Sequence, residues 1–157
     1  MKVLLPYTVL YPEVRAAVAA EEPDTWIEED LSGGPKSGYW RFVRSQWGSP
    51  FIIVEHDIVV FPGALRELWA CPRAWCAYLY PMDADVDLAA FGCVKFASPL
   101  TDKPWPVPKP VPWFSLDSTM EYALESAGWE KHVHLRHVRH VNPNVLELQR
   151  RALERGD

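Results

Sequence analysis

The sequence predicts an α/β protein with a mostly parallel central sheet and helices on both faces. Two observations carry that class. Short apolar runs alternate with segments of helical period along the first two thirds of the chain, the pattern of a parallel sheet covered on both sides. The strongest run opens "FIIVEHDIVVFPGAL" (51–65) and is wholly apolar until Glu55, His56 and Asp57 interrupt it at its mouth. Size agrees: 157 residues, 48% hydrophobic and 24% charged, suit one domain over 1–157 that buries about 70% of its unfolded surface.

The elements follow in order. "KVLLPYTVL" reads as a first buried strand. "PEVRAAVAAEE" is a helix with Pro12 at its first position and Val14, Ala17 and Val18 on one face. "DTWIEEDLSGG" is a short strand ending in acids and glycines. "SGYWRFVRSQWG" places Trp40, Val43 and Trp47 at helical spacing, with Gly48 as its stop. The 51–65 stretch then runs from strand into a helix opened by Pro62. "AWCAYLYP" and "FGCVKFAS" are two further strands. Prolines at 104, 106, 108, 110 and 112 make 101–113 a stiff extended arm, since alternate prolines block helix and deny ladder hydrogen bonds. The next helix, "DSTMEYALESAG", carries Ser118 and Glu121 as a capping box and Gly128 as its stop. "HVHLRHVRHV" is a late strand or edge segment, and Asn144 with Glu147 caps a last helix over 144–156.

Composition excludes several functions. Sixteen basic against 21 acidic residues give a net charge of −5, which argues against a nucleic-acid binder. Three cysteines without a CxxC pair predict free thiols in a reducing compartment rather than a disulfide framework. Pro6 breaks the N-terminal apolar run and no cleavage site follows, so no signal peptide is expected. No run reaches the roughly 18 apolar residues of a membrane span, and the expected location is cytoplasmic.

In a parallel sheet, ligands bind at the carboxyl ends of the strands. Two acidic strand ends fall there: Glu29-Asp30, followed by "SGGPKSG", and Glu55-His56-Asp57. Residues two apart on a strand share a face, so Glu55 and Asp57 are expected on one side with His56 opposite. Such a carboxylate pair can hold a hard divalent cation, whereas a single ExD step more often caps a turn. His132, His134, His137 and His140 offer a further ligand; their spacing fits no standard zinc set, so each taken singly is expected to be hydrogen-bonded or exposed.

The order of "VLLPYTVLYPEVRAAVAA", "WIEEDLSGGPKSGYWRFVRSQWGSPFIIVEHDIVVFPGAL" and "FGCVKFAS" resembles the nucleotide-sugar glycosyltransferases of the GT-A fold, a Rossmann-like three-layer sandwich, with family 2 closest in layout. The resemblance spans roughly residues 2–140. It implies a UDP- or GDP-sugar donor held by the strand-end segment with Pro6 and Thr8, by Asp30 at the base or ribose, by Gly38 and Arg41 near the phosphates, and by Glu55. It implies Mn²⁺ or Mg²⁺ on Asp57, completed by a late histidine, His140 foremost, and Asp117 as the base that activates an acceptor hydroxyl. Two departures matter. His56 replaces the usual middle acid, leaving two carboxylates, and the chain is short for the family, so the acceptor site must be small, open or shared with a partner such as a second copy.

Transfer from such a donor needs a base, relief of charge on the leaving diphosphate and a positioned sugar; one visible base favours inversion. Trp105 and Trp113 on the arm are candidates for stacking on a sugar ring, while Trp26, Trp40, Trp47, Trp69 and Trp75 read as core. A nucleotidyltransferase would use the same sheet but usually carries a glycine-rich loop after the first strand, where this chain has "PYTVLYPEVR". A catalytically silent sugar-binding or assembly module on the same fold is the rival outside enzymes.

Overall fold

The computed structural model describes residues 1–83, 86–135 and 137–141. Its elements are β1 (Lys2–Tyr7), α1 (Pro12–Ala20), β2 (Thr25–Asp30), α2 (Gly38–Gln46), β3 (Phe51–Val54), β4 (Ile58–Val60), α3 (Ala64–Ala70), β5 (Trp75–Asp83), β6 (Val86–Leu88), β7 (Cys93–Phe96), a 3₁₀ turn (Trp113–Ser115), α4 (Leu116–Ser126), β8 (His132–Leu135) and β9 (Val138–His140). The predicted last helix, with Asn144 and Glu147, lies outside the described residues.

The central sheet runs β2-β1-β3-β7-β5-β6, with β8 joined to β5. β1 pairs parallel with β2 and β3, and β5 with β8, but β7 runs antiparallel to both β3 and β5. The sheet is therefore mostly parallel, with β7 and β6 reversed. β7 enters backwards because it follows β5 and the β6 reversal directly, without a crossover helix to return the chain to the starting edge.

Strand alternation builds the three layers. Val3, Leu5, Ile52, Val54, Cys76 and Tyr78 face α1 and α3, whose Val14, Val18, Leu65 and Leu68 cover them. Leu4, Phe51, Ile53, Ala77, Val94 and Phe96 face the other way, under Trp40 and Val43 of α2 and Leu116, Met120 and Leu124 of α4. Both faces are buried, which is why these strands read as continuous apolar runs. Gly48 and Gly128 follow α2 and α4 at φ 103° and 82°, the left-handed conformation that stops a helix at little cost in glycine.

Three local expectations change. Ile58–Val60 is a strand of its own, and α3 starts later, at Ala64. Pro62 precedes it and Gly63 is its N-cap, at φ 86°. The capping box on α4 is not formed: Ser118 Oγ donates to the Ser115 carbonyl, and Glu121 pairs with Lys131 instead. "HVHLRHVRHV" divides into β8 and β9, and β9 pairs antiparallel with β4 as a separate two-stranded sheet. The proline arm has no regular element up to Pro112. Its carbonyls bond to indoles rather than to a ladder: Trp40 Nε1 donates to Val107 O and Trp47 Nε1 to Lys103 O, and Val107 is buried.

One buried carboxylate organises the α1 side. Glu21, 4% exposed, accepts the N–H of Gly63 at 2.6 Å and of Leu65 at 3.2 Å, so a residue after α1 caps α3. Glu21→Ala leaves both donors buried without a partner and is expected to cost about 2–4 kcal/mol in urea unfolding, with Glu21→Gln losing less. An unchanged midpoint for Glu21→Ala would show that the cap contributes nothing.

Candidate functional site

The main cleft, about 570 Å³, opens at the carboxyl ends of β1, β3 and β5. Pro6, Tyr7 and Thr8 line it from β1, Leu31 and Ser32 from the end of β2, Glu55, His56 and Asp57 from the end of β3, and Tyr80 from β5. Asp117 and Trp113 close the arm side, and His140 comes from β9. A volume of this size suits a ligand of several hundred daltons.

Strand β3 ends at Val54, and the chain then turns, with Ile58 N–H donating to Glu55 O. The two-residue parity expected of a strand therefore does not apply, and His56 lines the same cleft as the two acids. It lies stacked near Tyr11, with ring centroids 6.5 Å apart. The turn is pinned at both ends: Glu55 N–H donates to Gly92 O, and Val141 N–H donates to Asp57 O. In the β4–β9 register Ile58 faces His140, one residue beyond Asp57. This pairing brings His140 Nε2 to 3.1 Å from Asp57 Oδ2. Tyr80 stacks on His140 at 6.0 Å, and Tyr80 in turn needs a glycine at 92, where a Cβ would fall 2.5 Å from its ring.

The acids differ in electrostatics. Burial and the neighbouring Asp57 charge push Glu55 up to about 7, although Tyr39 OH donates to it at 3.0 Å. Burial also pushes Asp57 upward, but the hydrogen bond and charge of His140, with His56 nearby, outweigh it and hold the carboxyl below its usual range. Asp117, in the first turn of α4, has one carboxylate oxygen accepting the Ser118 N–H at 2.7 Å.

The predicted residues thus separate into two groups. Pro6, Thr8, Glu55, Asp57, Asp117 and His140 converge on the main cleft. Asp30, Gly38 and Arg41 line an adjoining one of about 390 Å³, which shares Leu31, Gly34 and Pro35 with the first. Asp30 is exposed and accepts the Ser32 N–H at 2.9 Å; the Ser32 hydroxyl first, and this N–H second, hold its carboxyl low. Of the arm indoles, Trp113 lines the cleft, half exposed, whereas Trp105 packs edge-on against Trp40 and Trp47 and does not face it. The arm's end is stitched to the β2–α2 loop by Trp113 N–H donating to Lys36 O.

Tyr39, Tyr80 and Lys36 line the cleft without having been singled out in the sequence. Tyr39 and Tyr80 are both buried, and the signal that points to them is the hydroxyl, which needs a polar partner. His132, His134 and His137 lie away from the cleft. The donors at the cleft, a carboxylate oxygen and an imidazole nitrogen, suit Mn²⁺ and can serve Mg²⁺. Among the described residues no third such side chain lies close enough to complete a ligand set there.

No family model and no curated protein sequence matches this chain. Among solved structures it is similar to a glycosyltransferase involved in the glycosylation of the major capsid of PBCV-1, with a TM-score of 0.56 and 11% identity over 96% of this chain and 98% of that one. At that identity the likeness concerns the fold: the α/β architecture over nearly the whole chain.

Glu55 links this geometry to pH. Its folded value near 7 exceeds its ordinary 4.5, so the folded state holds the proton more tightly and stability falls as pH rises from about 4.5 to 7. Glu55→Gln keeps an acceptor for Tyr39 and removes the ionisation. The variant is expected to match the wild type near pH 4 and to exceed it by about 1–3 kcal/mol at pH 8 in denaturant unfolding. Parallel stability profiles for the two proteins would show that Glu55 ionises without penalty.

Proposed function

We propose that this chain is a metal-dependent glycosyltransferase of the GT-A type, nearest in layout to family 2, that moves a sugar from a nucleoside-diphosphate donor to an acceptor hydroxyl with inversion. The observation that carries the reading is the convergence of Asp57, His140 and Asp117 on one cleft at the strand ends of a fold that a known glycosyltransferase shares. The cleft bears three carboxylates and, besides histidine, a single cation, Lys36. A diphosphate is repelled by such a lining unless a dication is bound with it, so the charge pattern itself favours a metal-linked ligand.

In this reading Asp57 and His140 hold Mn²⁺ or Mg²⁺, which when bound supplies Lewis-acid relief of charge on the leaving diphosphate. Pro6 and Thr8 bound the donor at the end of β1, and Tyr39 orients Glu55 toward it. A donor that extends across Leu31, Gly34 and Pro35 reaches Asp30 for its base or ribose, and Gly38 and Arg41 for a phosphate. Asp117 takes the proton of the acceptor hydroxyl; its place between the anchored arm and α4 fixes its backbone, so positioning supplies its effect. Trp113 offers a flat apolar face for an acceptor sugar. The small open cleft leaves room for a second copy of the chain to complete the acceptor side.

Two variants test the assignment. Asp57→Ala is expected to abolish Mn²⁺-dependent binding of UDP or GDP in calorimetry while cooperative unfolding persists; unchanged metal dependence would remove Asp57 from the site. Asp117→Asn keeps the side chain's shape without the proton acceptor. Donor affinity should change little while transfer falls by roughly 10²–10⁴. Transfer at the wild-type rate would make Asp117 a helix-end residue only. Nucleotide binding without any metal-dependent donor hydrolysis or transfer in the wild type would favour the silent binding module.

A further inference from the structure

At the opposite end of β5 from the cleft, three metal-ligating groups come together, with a fourth beside one of them. Cys71 follows α3, Cys76 lies near the start of β5, and His132 and His134 lie two apart on β8. The parallel β5–β8 register sets Cys76 opposite His132. Ligand atoms of Cys71, His132 and His134 all lie within 4.8 Å of one another, and Cys76 Sγ is 2.9 Å from Cys71 Sγ, both thiols being free.

Two features of this cluster call for a cation. The carboxylate of Glu67 accepts from His134 Nδ1 at 3.1 Å, which leaves the lone pair on His134 Nε2, and that atom is buried without a hydrogen-bond partner. An imidazole held by a carboxylate on one nitrogen with the other turned inward is the arrangement of a metal-ligating histidine. Glu67 also pairs with His137 at 2.7 Å, which fixes the carboxylate itself. Lys95, 2% exposed, donates its ammonium to Cys71 O, so a positively charged site beside it would be costly. Two thiolates cancel the charge of a dication, so a site of that composition adds no positive charge next to the ammonium.

We propose that Cys71, Cys76, His132 and His134 bind one zinc ion that fastens the β8 edge strand to the α3–β5 connection. Two sulfurs and two nitrogens are a standard tetrahedral zinc set. Bonds of about 2.0–2.3 Å put such ligands roughly 3.3–3.8 Å apart, so the nitrogens draw in, and Cys76, which is outside the mutually close set of Cys71, His132 and His134, turns its sulfur away from Cys71 and toward the histidines by side-chain rotation. The site stands apart from the cleft and does not depend on the reaction proposed there.

The test is zinc content and Co²⁺ spectroscopy on the full chain. The wild type, refolded with Zn²⁺ and dialysed, is expected to retain one zinc per chain, and the Co²⁺ form to show tetrahedral ligand-field bands with sulfur charge transfer. Asp57→Ala should leave both unchanged. His132 is exposed, so His132→Gln tests the site without disturbing the core; it and Cys71→Ser should lose the metal. Cys76→Ser should halve the sulfur band, and Glu67→Gln should weaken zinc affinity by about 10–100-fold. A wild type without bound zinc, a Cys71–Cys76 disulfide in the protein purified under reducing conditions, or undiminished zinc binding by His132→Gln and Cys71→Ser would each overturn the proposal.

Discussion

The pairing of β4 with β9 is the contact on which the cleft depends. Each strand has three residues, and the pair stands outside the main sheet. Yet the Val141 N–H bond to Asp57 O and the Phe61 N–H bond to His137 O close the β4–β9 pair at both ends, and the first of them pins the turn after β3. Without them Asp57 would extend from a free strand end, and His140 would have no reason to meet it. The pair owes its own stability to burial: Ile58, Val60, Val138 and Val141 are in the core shared with α1 and α3. Hydrophobic packing thus holds two polar side chains in register, and the ion pair contributes geometry more than stability.

The opposite wall is held by different means. Prolines deny the arm a ladder, so its carbonyls would be orphaned against the protein surface. Trp40 and Trp47 satisfy two of them from α2, and Trp113 N–H reaches the Lys36 carbonyl. Asp117 follows within the next turn of chain. Its position is therefore determined by α2 and the β2–α2 loop together. Both walls reach the cleft from segments distant in sequence, while the floor comes from strand ends of the sheet. A rigid floor and separately anchored walls pre-organise a site.

Much of the architecture was legible because period and burial coincide. Val14 and Val18 on α1, Trp40 and Val43 on α2, and the apolar run at 51–54 declare their faces directly. The glycines at 48 and 128 mark helix ends for steric reasons visible in any sequence. The cleft's place followed from strand polarity, which pointed to Glu55 and Asp57, whereas Asp117, on α4 rather than at a strand end, came only from the family resemblance. What failed has equally physical causes. A three-residue strand is too short to show a period, so β4 was merged with its neighbour. The reversal of β7 is decided by how the chain returns after β5, not by its own residues. Ser118 and Glu121 match a capping box in spacing, but Lys131 offers Glu121 a charged partner. Trp105 looked like a sugar platform because its arm is polar and proline-rich, whereas Trp40 and Trp47 give it a buried place to pack. The cysteine–histidine cluster was illegible because only the β5–β8 register brings its members together.

The distribution of indoles has an optical consequence. Trp40, Trp47 and Trp105 form one close cluster at the root of the arm, largely shielded from water, while Trp113 is half exposed at the cleft. Among the eight tryptophans, these two groups differ in solvent exposure and report on different events. Emission from the clustered rings follows whether the arm is seated on α2. Emission from Trp113 responds to what occupies the cleft, because a ring stacked on it excludes solvent and alters its quantum yield. A ligand that quenches the red edge alone has entered without moving the arm, and one that shifts the blue edge has lifted it.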